Sequence, residues 1–152
     1  MEAVLDSAQS ESKALRYAGF WLRFVAALID GLILWAIGAL ISLMFFGAIF
    51  ISYRTHGWSV FSSNLIVGAI INWLYYAGME SSARQATFGK VALSVKVTDL
   101  NQERISFARA TGRHFAKYIS AITLLIGYMM AGFTEKKQAL HDQIADTLVI
   151  LK

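Results

Sequence analysis

The sequence predicts a mainly α-helical membrane protein with two transmembrane helices, a third short apolar helical stretch and a small cytoplasmic β-hairpin. Gly31–Tyr53 and Gly57–Met79 are each 23 residues without Asp, Glu, Lys or Arg. As helices each reaches roughly 34 Å, enough for a hydrocarbon core of about 30 Å. Apolar residues make up 57% of the chain and charged residues 16%, against roughly 25% charged in soluble domains. The cations are also segregated. Lys13, Arg16 and Arg23 precede the first run, seven more from Arg84 to Lys117 follow the second, and only Arg54 lies between. That positive-inside bias places the N-terminus and the 80–117 segment in the cytoplasm.

Residues 1–18 are polar and of mixed charge, without the basic start and short apolar core of a secretory signal. The first apolar run is therefore expected to remain as its own insertion signal. A turn at 54–56 faces the opposite side. Tyr53 and Trp58 flank that turn, while Phe20, Trp21, Tyr75 and Tyr76 lie near the inner face, where amphipathic rings prefer to sit.

Beyond the second run, Val91, Leu93, Val95 and Val97 alternate with Ala92, Ser94, Lys96 and Thr98, the period of a half-buried strand. Asp99–Glu103 reads as a polar turn and Arg104–Phe107 as the returning strand of a hairpin. Tyr118–Thr134 then gives 17 charge-free residues, short for a span and also suited to a re-entrant element. Re-entry keeps Lys136, Lys137 and Lys152 inside and so agrees better with the charge bias. Leu148–Leu151 is too short to cross and reads as a strand or an apolar seal.

Ionisable groups near the bilayer are the candidate functional residues. Arg23 and Asp30 are seven apart, close to two helical turns, so they share a face about 10.5 Å apart along the axis. If the span begins near Phe20 both groups sink into the inner leaflet. There an ionised group costs roughly 2.5–3.5 kcal/mol at mid-depth and needs a partner. If it begins at Gly31 they form an interfacial anchor pair. Glu80 closes the second run at the same face, either as a solvated helix end or as an acid within reach of Arg23. Asn72, inside that run, reads as hydrogen-bonding glue between helices.

Other chemistries find little support. With no cysteine, thiolate metal sites and disulfides are excluded. His141-Asp142 lacks the further spaced ligands of a metal site, and Phe88-Gly89-Lys90 lacks the spacing of a phosphate loop. No cofactor or metal is expected, and no nucleophile–base arrangement suggests an enzyme. The 84–117 cations read as topology determinants touching anionic lipid headgroups rather than nucleic acid.

Three ordered blocks resemble the RDD family of small bacterial membrane proteins, named for one arginine and two aspartates. They are Gly19–Arg23 with Ala26–Asp30, then Glu80 with Gln85–Lys90 and Leu93–Val97, then Gly127-Tyr128 through Lys137–Asp142 and Ala145–Thr147. The match runs from about Gly19 to Leu151, which makes 19–152 one RDD-like membrane domain. Asp146 departs from the pattern, standing where glycine is common. The resemblance implies a multi-pass protein of the bacterial inner membrane and a transport function of unspecified ligand, some members being linked to cation/proton antiport. It also implies a cluster of Arg23, Asp30 and Asp142, supported by Lys90 and His141. Such a cluster requires Asp142 on the cytoplasmic side, because a crossing by 118–134 would carry it some 30 Å away.

Two functions are compatible with this reading. In the first, Asp30 exchanges a proton for a monovalent cation, Asp142 assists, and Arg23 tunes the carboxylates. A homo-oligomer would enclose the path, through Gly38-x-x-x-Ser42 and Gly127-x-x-x-Ala131. In the second, the protein is a scaffold or accessory subunit and the cluster is a structural lock.

Overall fold

A computed structural model describes residues 15–123 and 126–152, apart from the side chains of 46, 48–53, 55 and 58–63. The elements are α1 (Phe20–Met44), α2 (Phe46–Glu80), α3 (Phe88–Ala92), β1 (Val95–Asp99), α4 (Phe107–Ile122), α5 (Ile126–Phe133), α6 (Leu140–Ile144) and β2 (Thr147–Leu151). Most of the polar N-terminal segment, and the side chains of Tyr53 and Trp58, lie outside the described residues.

Helix α1 is 25 residues long with a mean hydropathy of 2.3 over its most apolar window, long enough to cross a bilayer. Its buried residues are Ala26 and Asp30, whereas Trp21, Leu32, Trp35 and Leu43 are exposed. A water-facing helix would not present so large an apolar surface. It begins at Phe20 rather than Gly31, so Arg23 and Asp30 lie within it. Charge does not end a helix when other elements pair with it or hydrogen-bond to it, and here they do, an aspartate pairing with Arg23 and two hydroxyls and an amide serving Asp30. It ends at Met44, nine residues before the charge-free run does. The position expected to turn, 54–56, instead lies within α2 beside a kink at Gly57, whose φ is +31°, a conformation glycine adopts without strain.

The sheet differs from the hairpin expected. β1 pairs antiparallel with β2, with Val95 opposite Leu151 and Val97 opposite Val149. Residues 104–107 form no strand. Ser106 accepts a hydrogen bond from the Arg109 amide and caps α4, so Phe107 starts a helix. The alternation from Val91 misleads in the same way, since 91–92 finish α3, whose N-cap is Thr87. The apolar tail 148–151 supplies the partner strand. On its other side β2 meets the N-terminal segment, with Tyr17 bridging Ile150 and the Ala18 amide donating to Val149 O at 2.8 Å. Val95, Val97, Val149, Ile105, Ala77 and Ala110 form the core beneath this sheet.

Helices α4 and α5 meet at 102°. Gly127 makes the fold-back close, since a Cβ there would lie 2.8 Å from Ser120 Cα. The Gly127-x-x-x-Ala131 face is thus used within the chain and not left open to a second copy. α3 lies directly on α1, because a Cβ on Gly89 would stand 2.1 Å from Ala26 O. Asp146 adopts φ +49° just before β2, the left-handed region where glycine is unstrained and aspartate is tolerated.

Gly89→Ala is expected to lower stability by about 1–3 kcal/mol, the range for overpacking. Asp146→Gly is expected to gain up to about 1 kcal/mol by relieving the left-handed conformation. Thermal unfolding in detergent checks both.

Candidate functional site

One end of the molecule gathers charges from five helices. Asp142, fully buried on α6, accepts through Oδ1 from Arg113 Nε at 2.9 Å and Nη2 at 2.6 Å. Its Oδ2 accepts from Arg23 Nη1 and from the Ala139 amide at 3.0 Å. Arg23 also donates to Ala18 O at 2.8 Å and Lys137 O at 2.6 Å, which ties α1 to the segment before it and to the segment between α5 and α6. Glu80, equally buried, accepts from Arg113 Nη1 at 2.6 Å and from Lys90 Nζ, and Lys117 Nζ stands 3.6 Å away. Arg113 thus bridges the two carboxylates, dividing its guanidinium fork between them.

Asp30 takes no part in these ion pairs. It is buried, and its oxygens accept from Tyr75 Oη at 2.7 Å, Thr87 Oγ1 at 2.6 Å and the Gly89 amide at 2.7 Å. The expected triad is therefore divided, with Arg23 and Asp142 bonded and Asp30 held separately by α2 and the start of α3. Two turns of helix separate Asp30 from Arg23, and the Arg23 side chain reaches toward the helix start, as helical side chains do. Glu80 is no solvated helix end. Lys90 supports it, and His141 stands beside Asp142, with Nδ1 3.2 Å from Ser120 Oγ and Nε2 3.5 Å from Asp142 Oδ1. Asn72 lines a cavity, and its side chain makes no hydrogen bond to another described residue. The interhelical bond expected of it comes from its neighbour, Trp73 Nε1 to Thr111 Oγ1 at 3.2 Å.

The sequence reading missed Arg113, which it counted among the topology cations. Ala110, Arg113, His114 and Ser120 are all buried on α4 and recur at helical spacing, a signal hidden once 104–107 was taken as a strand. Tyr75, Thr87 and Gly89 were missed because they converge on Asp30 only in three dimensions.

Above the network lies a cavity of about 690 Å³, with Arg113, Lys117, Asp30 and Tyr76 among its lining. Outside the helices that could meet lipid, three groups show displaced protonation. Burial lowers the Lys90 ammonium to about 8, with Glu80 opposing. Burial alone would raise the Asp142 carboxyl, but Arg113 and Arg23 outweigh it and hold the group well below the carboxylate range. Burial lowers His141 to about 3, only partly offset by Asp142.

Arg113→Met leaves Glu80 and Asp142 short of donors and is expected to cost about 3–5 kcal/mol. Arg113→Lys should recover little, since an ammonium cannot span both carboxylates. His141 is neutral in the fold at neutral pH, and between about pH 6.5 and 3 the unfolded chain binds the extra proton. Its contribution is complete above about pH 6.5 and declines as pH falls. Stability should drop by about 2 kcal/mol from about pH 7.5 to pH 5, and His141→Gln should flatten that dependence in pH-resolved thermal unfolding.

The RDD family profile matches residues 17–146. The chain is 35% identical over 149 residues to the uncharacterized protein YxaI of Bacillus subtilis, covering 89% of this chain and 97% of that protein. It is 34% identical over 140 residues to the uncharacterized membrane protein YteJ of the same organism, covering 88% and 80%. A third relative, the uncharacterized protein RP437 of Rickettsia prowazekii, is 34% identical over 94 residues, covering 60% and 48%. No solved structure matches. Two relatives aligned over most of their length, and a family match from the first strand partner to the tail turn, give one conclusion: this chain is a membrane protein belonging to the RDD family.

Proposed function

We propose that the protein is a multi-pass transporter of the bacterial inner membrane, N-terminus inside, that exchanges a proton for a monovalent cation at Asp30 without enzymatic chemistry. The observation that carries this reading is the environment of Asp30. It is buried and lines the cavity, and its partners are two hydroxyls and one amide. Among the described residues no cation pairs with it. A buried carboxylate without a counter-charge gains more from binding a proton or a cation than one already ion-paired. Glu80 and Asp142, saturated by arginine and lysine, are poor exchangers.

The paired carboxylates favour a second role within the same molecule. The Arg23–Asp142–Arg113–Glu80–Lys90 network joins α1, α2, α3, α4 and α6, as a structural lock would. A homo-oligomer is part of the proposal, because one chain encloses little of a path. The surface available for it is the outer half of α1, where a Cβ added to Gly38 would meet nothing within 4 Å and the neighbouring residues are exposed.

Purified protein in proteoliposomes should show sodium-dependent proton flux. Asp30→Asn should abolish it while leaving the fold intact, and Arg23→Met should lower thermal stability while preserving flux per folded molecule. Flux unchanged by Asp30→Asn would remove the exchanging role from that residue.

A further inference from the structure

We propose that the cavity above the ion-pair network binds the phosphate group of an anionic amphiphile, with Lys117 and His114 as its ligands and an anionic phospholipid as the source. Four cations, Arg23, Lys90, Arg113 and Lys117, border the cavity. Among the described residues the carboxylates of the neighbourhood, Glu80, Asp142 and Asp30, number three, so one positive charge is left over. Arg23, Arg113 and Lys90 are committed to carboxylates at short range. Lys117 is held more loosely. Its ammonium stands 3.6 Å from Glu80, beyond ordinary hydrogen-bond length, and 4.3 Å from the centre of the Tyr76 ring.

The independent observation is His114. It is 5% exposed, and both ring nitrogens lack a hydrogen-bond partner among the described residues. The ring is held among Tyr76, Phe115 and Tyr118, with centroids 5.7–6.0 Å apart, and it lines the cavity. Buried polar atoms without partners are rare in native folds and call for a bound group to satisfy them. An anion placed here would accept from the imidazole N–H and from Lys117, three residues further along the same helix face. Phosphate oxygens suit both donors.

The walls specify the rest of the ligand. Phe24, Tyr118 and Met129 line the cavity and are also 45%, 53% and 49% exposed, so they form a rim. Phe24 belongs to the apolar helix α1, and the rim therefore opens toward the medium that covers that helix. A molecule with an anionic head and a hydrocarbon tail can enter from that side and leave its tail outside. A small inorganic anion would fill the polar floor but none of the apolar wall.

Native mass spectrometry and thermal shift on the full chain in non-ionic detergent test the site directly, with phosphatidylglycerol, phosphatidylcholine and inorganic phosphate as probes. Phosphatidylglycerol should bind roughly tenfold more tightly than phosphatidylcholine. Lys117→Met and His114→Phe should each erase most of that preference. Lys96→Gln, a cation on β1 away from the cavity, should leave it intact. His114→Phe keeps the ring packing, so it serves if Lys117→Met fails to fold. Inorganic phosphate reproducing the shift with the same sensitivity would keep the phosphate site and assign it to the free anion. Equal binding of the two lipids with no response to phosphate, or a preference unchanged in both variants, would overturn the proposal. Binding is read without flux, so this outcome and that of Asp30→Asn are separable.

Discussion

One guanidinium sets the terms for the charged end of this protein. Two carboxylates with no access to water must either lose their charge or find cations, and Arg113 supplies donors to both through three nitrogens. Buried ion pairs seldom add much net stability over apolar residues, because desolvation consumes most of the attraction. Their geometry is exacting, however. Arg113 can satisfy Glu80 and Asp142 together only when α2, α4 and α6 are in one arrangement. Arg23 and Lys90 then add α1 and α3 to the same constraint. The network is thus better understood as a device that selects one packing of short, weakly cohesive elements than as a store of stability.

Asp30 shows a different solution to the same physical problem only a few turns along α1. Its carboxylate is served by hydroxyls and an amide, which requires α3 to approach α1 at backbone contact. Gly89 makes that approach feasible. The charge is solvated by dipoles and not cancelled. The two acids singled out by the family resemblance therefore have opposite electrostatic settings, one neutralised and one merely hydrogen-bonded, and their proposed roles divide along that line.

Much of this was legible from composition and spacing, and the failures share one cause. The apolar helix follows from rules about charge in a bilayer, and the Arg23–Asp142 meeting from the family resemblance. The charge-free limits left the start of α1 open between Phe20 and Gly31 because they assume that every charge seeks water, whereas Arg23 and Asp30 find partners in protein. The hairpin failed because alternation at 91–98 reveals a strand but not its partner, which lay some fifty residues on at 147–151. Ser106, a good helix cap, was the local sign that Arg104–Phe107 would not return as a strand. Arg113 escaped notice because a cation counted for topology carries no mark of burial until its helical face is drawn.

The long separation between partners also bears on how the molecule is made. Arg23 and Asp142 are 119 positions apart, and the strand that completes the sheet follows directly after Asp142. During synthesis α1 is made long before the carboxylate with which its guanidinium pairs. Glu80 and Arg113 can pair earlier, but the arrangement closes only when the tail emerges and docks. A chain cut short before Asp142 leaves the Arg23 and Arg113 guanidiniums without the carboxylate they share.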